Sequence, residues 1–388
     1  MRVLIAPDCF TGTLTAAQAA EAIAEGWRRS APDDDLTLLP LSDGGPGFID
    51  VLAGALDVST VLVTASDPLG RPVPAAILVV DQGAARTAYI ESAQACGLHL
   101  LTGGERNPMV TSTYGVGELI EAAVGAGATR VVVGLGGSGT NDGGAGMLAA
   151  LGAGDTGALG RGGAALGQLA DEGLEGLTPV RDRLGAVEIV LATDVDSPLL
   201  GFKGASAVFA PQKGATPEMA QQLESALGHF AEVARRAVPS GRDLLTGKEM
   251  RLDRQPGAGA AGGLGYGLLL LGGHRVSGVQ AVLEAVGFDA LLAATDLVVT
   301  GEGTFDWQSL SGKVVSGVAE AALARIRPTV VIAGQALVGR RDSMALGISG
   351  TYAVAERPEQ VAAALADPAG TLSRKTERVA TTWSPRHT

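Results

Sequence analysis

The chain has 388 residues, 46% of them apolar and 18% charged, with a formal charge of −12. That length favours two domains over one, and the apolar content excludes a disordered chain. The negative charge lacks the basic stripe that nucleic acid or anionic membrane demands, and Cys9 and Cys96 are too few for a disulfide framework or a Cys-x-x-Cys metal site.

Residues 1–8 are too short an apolar run for a signal peptide and read instead as a first strand over 2–7. A helix follows, with Ala16, Ala19, Ala20, Ile23, Ala24 and Trp27 on one face and a capping box at Thr15 and Gln18. Residues 36–41 form a second strand that runs into Ser42-Asp43-Gly44-Gly45-Pro46-Gly47, and helical spacing resumes over 48–56. This βαβα rhythm predicts a parallel sheet.

The pattern changes near Ser59. Residues 59–65, 74–81 and 86–92 are closely spaced strands of a mixed or antiparallel sheet. A helix over 112–124, strands over 130–135 and 187–193, and a long helix after Thr216-Pro217 continue this second domain. Residues 152–185 are glycine-rich and weakly patterned, and read as a surface excursion. From Ser277 the wound rhythm returns, with a helix to Val286, a strand over 297–300, a loop over 301–312, a helix over 314–325 and a strand over 329–333. The expected architecture is α/β: a Rossmann-like parallel-sheet domain from residues 1–58 plus 277–388, and an inserted α/β domain of mixed sheet from 59–276. Ligand would then bind in the cleft between them, at the carboxyl ends of parallel strands. The longest apolar runs, such as 75–80 and 268–271, are far shorter than the ~20 residues a membrane helix needs.

The densest chemical signal is the run from Gly136 to Gly146, Gly-Gly-Ser-Gly-Thr-Asn-Asp-Gly-Gly-Ala-Gly. A strand feeds glycines, hydroxyls and an amide into a helix start, which suits an anion cradle, and equally suits a glycine-dense turn packing a helix on a strand. It is neither a Rossmann fingerprint nor a Walker A loop. Carboxylates stand at the carboxyl ends of expected strands: Asp8, Asp43, Asp194 with Asp196, and Glu302 with Asp306. Singly each is a loop cap; together they match phosphoryl transfer, which needs carboxylates to hold Mg²⁺ and one to accept a hydroxyl proton. Arg71, Lys213 and Lys313 are the cations in glycine-rich settings, Lys313 the best placed of the three. A second glycine run, from Gly257 to Gly265, either covers a nucleotide or makes a small-residue contact, with ligand contact preferred. His99, His229, His274 and His387 sit in no triad-like context, which disfavours nucleophilic hydrolysis.

These segments together resemble the bacterial glycerate kinase family typified by glycerate 2-kinases, along nearly the whole chain to about residue 355. Ala6-Pro7-Asp8-Cys9-Phe10 resembles the family's A-P-D-S-F, and Ser42-Asp43-Gly44-Gly45 its A-D-G-G. Glu105-Arg106-Asn107-Pro108, Thr113-Tyr114-Gly115-Val116-Gly117-Glu118-Leu119-Ile120 and Asp194-Val195-Asp196-Ser197-Pro198-Leu199 follow further motifs, as do the run 136–144, Pro211-Gln212-Lys213-Gly214-Ala215 and Gly301-Glu302-Gly303. Thr11 and Pro46 stand where the family usually has Lys and Glu.

The resemblance implies ATP- and Mg²⁺-dependent phosphorylation of D-glycerate, usually at the 2-hydroxyl. On that expectation glycerate meets Asp8, Asp43, Arg71, Glu302 and Asp306, while the nucleotide meets Gly136, Gly137, Ser138, Thr140, Asn141 and Lys213. Asp194, Asp196 and Glu302 are candidate Mg²⁺ ligands. Asp194 is the first choice of base, Asp43 the second, and Lys313 completes the catalytic set. The expected setting is cytoplasmic, as a monomer or homodimer, with a small-molecule substrate and neither nucleic acid nor membrane as partner. A kinase for a related hydroxy acid, a nicotinamide-dependent oxidoreductase in the same kind of cleft, and a non-catalytic metabolite-binding relative are the rival readings.

Overall fold

In a computed structural model, which describes residues 1–82, 85–238, 247 and 250–384, the chain forms two compact units. The first takes Met1–Asp43, Asp50–Leu56 and Ser277–Thr388; the second takes Gly44–Ile49 and Asp57–Val276. The strands among the described residues are β1 (Arg2–Ile5), β2 (Asp35–Leu38), β3 (Ser59–Ser66), β4 (Pro72–Gln82), β5 (Ala85–Glu91), β6 (Arg130–Gly134), β7 (Glu188–Ala192), β8 (His274–Val276), β9 (Leu297–Thr300), β10 (Thr304–Phe305), β11 (Thr329–Ala333), β12 (Gln335–Ala336) and β13 (Ile348–Ala353).

The first unit is built on a five-stranded sheet in the order β13-β11-β9-β1-β2, parallel throughout. β9 and β11 are buried at every position, as strands covered on both faces must be, which is why they read as unbroken apolar runs rather than alternating ones. The helix Ala16–Ser30 starts at the expected capping box: Thr15 Oγ1 accepts from the Gln18 N–H at 3.2 Å, and Gln18 Oε1 accepts from the Thr15 N–H at 3.0 Å. Its apolar face, with Ile23 and Trp27 fully buried, covers the sheet together with the last helix, Pro368–Trp383. A Cβ on Gly26 would lie 2.1 Å from the Ser373 carbonyl oxygen, so glycine sets how closely the two helices approach.

The second unit carries a six-stranded sheet in sequential order, β3-β4-β5-β6-β7-β8. β3, β4 and β5 form an antiparallel meander, and β5 through β8 run parallel. The α/β class, with one parallel and one mixed sheet, is therefore the fold expected from the sequence. Residues 152–185 are not a surface excursion. Leu159, Leu166, Leu169, Leu174, Leu177, Val180 and Leu184 are buried in the core of this unit, on the short helices Thr156–Leu159 and Leu177–Leu184 and a 3-10 turn over Gly163–Gln168. Glycines interrupt the helical period there, so the leucines fill the core from brief elements that no 3.6-residue repeat betrays. Among the described residues no helix is long and apolar enough to cross a membrane.

Candidate active site

β1 lies between β2 and β9, so the strand order reverses at β1, and the loops leaving β1 and β9 diverge at a topological switch point. The β1–β9 ladder continues past both strand ends, with Ala6 N–H donating to Val299 O at 2.7 Å and Asp8 N–H to Gly301 O at 2.8 Å. The Thr300 hydroxyl adds a 2.7 Å bond to Ala6 O. Beyond β2, Leu41 N–H donates to Pro7 O at 2.9 Å and brings Asp43 to the same edge. In this way Asp8, Asp43 and Glu302 converge, with Lys313 Nζ 3.9 Å from Glu302 Oε2.

The electrostatics follow from that crowding. Burial first, and then the charge of Asp43, pushes the Asp8 carboxyl up to about 7, against the Cys9 N–H that donates to its Oδ1 at 2.7 Å. Burial also raises Glu302, which is 4% exposed and whose Oε1 has no hydrogen-bond partner. A buried carboxylate oxygen without a partner is uncommon and marks a place where a cation or a hydroxyl donor belongs. The Cys9 thiol, pushed up to about 12 chiefly by burial, stays protonated and plays no nucleophilic part. Asp306 is placed differently from its neighbours: its Oδ1 accepts from the Gln308 N–H at 2.9 Å and caps the turn Trp307–Leu310.

Four features of the second unit bear on the remaining candidates. The run 136–146 leaves β6, and its glycines serve packing: a Cβ on Gly136 would meet the Gly45 Cα at 2.5 Å, and one on Gly137, at φ 65°, the Pro46 Cγ at 2.6 Å. The second glycine run makes close small-residue contacts with the first. Gly143 N–H donates to Gly262 O at 3.1 Å, and a Cβ on Gly262 would lie 1.9 Å from Thr140 O. Polar atoms between the glycines are less settled, since Thr140 Oγ1 and Asn141 Oδ1 are buried without partners while Asn141 Nδ2 donates to Ser206 Oγ at 3.0 Å. Lys213 is 2% exposed and donates to Ser138 Oγ at 2.8 Å and to Thr140 O at 2.6 Å.

Asp194 follows β7, and Asp196 Oδ1 lies 2.8 Å from the Arg275 guanidinium, which also donates to Thr193 O at 3.1 Å. Arg71 is held by carboxylates, with Nε 2.5 Å from Asp67 Oδ2 and NH1 2.7 Å from Glu105 Oε1. The candidates drawn from the sequence did not include Asp142, which is fully buried and accepts from Thr113 N and Oγ1 at 2.8 and 2.9 Å and from Gly144 and Gly146 N at 3.2 Å each. Its signal was the Asn-Asp-Gly-Gly tetrapeptide, a short acid among backbone donors. Arg275, which engages Asp196, carried no sequence signal at all.

Among the described residues no group of three or more His, Cys, Asp or Glu side chains is placed to hold a metal ion alone. Mg²⁺ is usually held by one or two carboxylates and completes its shell with water and phosphate, so Glu302, with its unpartnered Oε1, suits it.

The family model described as the glycerate kinase family matches residues 3–384. A Bacillus subtilis protein named glycerate kinase is 44% identical over 363 residues, covering 91% of this chain and 90% of that protein. An Escherichia coli K12 protein named glycerate 2-kinase is 40% identical over 339 residues, covering 86% of this chain and 85% of that protein. A solved structure described as a putative glycerate kinase 2 from Salmonella typhimurium LT2 superposes with a TM-score of 0.78 at 37% identity, covering 99% of this chain and 98% of that one.

Proposed function

Because the chain belongs to the glycerate kinase family, we propose that it transfers the γ-phosphoryl group of ATP to the 2-hydroxyl of D-glycerate, as a cytoplasmic monomer or homodimer. The products are ADP and 2-phosphoglycerate, a regiochemistry supported by the name of the Escherichia coli relative. The substrate hydroxyl oxygen forms the new bond to the γ-phosphorus, the bond to the β-phosphate oxygen breaks, and the hydroxyl proton passes to a carboxylate.

The observation that carries this reading is the convergence of Asp8, Asp43 and Glu302 with Lys313 at the switch point of a parallel sheet. Carboxylates there suit a hydroxyl donor and a divalent cation, and Lys313 suits the carboxylate of a small acid. Glu302 would hold Mg²⁺, with Asp194 and Asp196 as further candidate ligands, and the ion would neutralise charge on the phosphates. Asp194 is the proposed proton acceptor, with Asp43 second. Asp8, held near neutrality, orients the substrate hydroxyls by accepting or donating a hydrogen bond at physiological pH. Arg71 and Asp306 are engaged by Asp67, Glu105 and the Gln308 N–H, so their contribution to substrate binding would come through the loops they brace.

The test is a coupled ADP-release assay with D-glycerate and ATP, followed by phosphorus NMR of the product. A 2-phosphoglycerate resonance supports the proposal. ADP release with other hydroxy acids but not with glycerate, or a 3-phosphoglycerate product, would remove the corresponding part of it.

A further inference from the structure

Lys213 is the most unusual charge in the second unit. The turn Pro211–Lys213 delivers its side chain into the interior, where the ammonium donates to Ser138 Oγ at 2.8 Å and to Thr140 O at 2.6 Å. No carboxylate among the described residues forms an ion pair with it. The charged or titratable groups that influence it are the Cys96 thiol, pushed up to about 12 by burial and so neutral, and Asp142. Asp142 has its own oxygens occupied by Thr113, Gly144 and Gly146. Burying an ammonium without a counter-charge is costly, and a Met or Leu would fill the same volume without that cost. Packing alone therefore does not account for a lysine here.

What the lysine does locally follows from its donor-only chemistry. Its ammonium can only donate, so Ser138 Oγ must accept, and the serine's own proton is left to be directed at a second oxygen. The Ser138 backbone is fixed from the other side by the bridge to Gly97, through Leu98 N–H to Gly137 O at 2.8 Å and Gly139 N–H to Cys96 O at 2.7 Å. Ser138 is itself buried, at 7% exposed, as is its bond to the lysine. A hydroxyl that accepts from a cation is a stronger donor to an anion, because the two hydrogen bonds polarise one another.

We infer that Lys213 is a positioning residue: it does not touch the nucleotide but aims the Ser138 hydroxyl at a phosphate oxygen of the bound triphosphate. The inference deepens the phosphoryl-transfer reading and rests on it. It also gives the site a pH dependence, since burial lowers the Lys213 ammonium to about 8, and the donor relay weakens as that proton is lost.

The experiment measures binding of a non-hydrolysable ATP analogue by calorimetry, from pH 6.5 to 9, alongside the glycerate assay. Ser138→Ala and Lys213→Met should each weaken binding by roughly ten- to a hundredfold, the worth of a charge-assisted hydrogen bond. The double variant should bind no more weakly than Ser138→Ala, because the lysine acts through the serine. Wild-type affinity should fall as pH rises through 8, Ser138→Ala should abolish that fall, and Ser138→Thr should restore it. Losses that multiply in the double variant, or a Ser138→Ala protein that binds like wild type, would overturn the inference. If Lys213→Met does not fold, Ser138→Ala and its pH profile decide alone. A wild-type protein that binds the analogue but phosphorylates no glycerate sinks only the proposed substrate; one that binds no analogue sinks both.

Discussion

Asp8 ends β1 where burial, and then the charge of Asp43, hold its carboxyl up to about 7 instead of the ordinary 3.8. Between those two values the folded chain binds more protons than the unfolded one. The stabilising contribution of this group is therefore complete below about pH 4 and is lost as pH rises through 7, each tenfold difference in proton affinity between the folded and unfolded chain being worth about 1.4 kcal/mol. Asp8→Asn keeps the shape and removes the charge, so its melting temperature should exceed that of wild type at pH 8 and approach it at pH 5. Catalysis should fall by at least about a hundredfold, the usual exchange of stability against function at such a site. Thermal melts at the two pH values check the point, and a variant that melts lower than wild type at pH 8 would show that the Asp8 charge is stabilising after all. The identity of the acids here was legible in the sequence, because Asp8, Asp43 and Glu302 each follow an expected strand. Their roles were not equally legible: Asp306 shares the spacing yet spends its Oδ1 on the Gln308 N–H, a choice made by loop geometry.

The helix Val314–Ala324 shows the same limit at the level of an element. Its apolar spacing gives its existence, but its end depends on backbone angles. Arg327 N–H donates to Ala322 O at 2.8 Å and Ile326 N–H to Leu323 O at 2.9 Å, the paired bonds of a Schellman cap. The residue that must turn left-handed is Ile326, at φ 56°, where glycine is the usual occupant and a β-branched side chain is strained. Ile326 is 89% exposed, so its side chain contributes little packing in return. Ile326→Gly should raise stability by about 0.5–1 kcal/mol, read as a higher urea midpoint with an unchanged slope. A lower midpoint would show that the isoleucine has a partner worth more than the strain. Strands buried on both faces, such as β9 and β11, were the easiest elements to read, since their apolar runs are unbroken. The leucine-filled turns between 152 and 185 were the hardest, because a core built from brief elements leaves no period.

Across the whole molecule the chain passes between the two units more often than two sequential domains would require, because residues 44–49 pack with the second while 50–56 pack with the first. Hydrophobic periodicity runs unbroken through the helix Phe48–Ala55 and cannot show which unit each turn serves; that depends on partners far along the chain. Phe48 is fully buried, its ring 6.1 Å from that of Tyr89 at an edge-to-face 68°. A Cβ on Gly134 would lie 2.9 Å from the Phe48 Cδ1, and Glu91 Oε2 accepts from the Gly47 N–H at 3.0 Å. Residues 44–49 are thus keyed to the β5–β6 pair by a ring, a missing side chain and a carboxylate. Phe48→Ala should cost roughly 3–5 kcal/mol, the usual range for emptying a buried phenylalanine site. The cost should be local before it is global, so native-state hydrogen exchange at Tyr89, Ile90, Val132 and Val133 should accelerate more than at Leu4, Val298 and Val299. If the β1 and β9 amides lost protection first, the segment would instead be securing the parallel sheet, and its assignment to the second unit would describe contacts without describing stability.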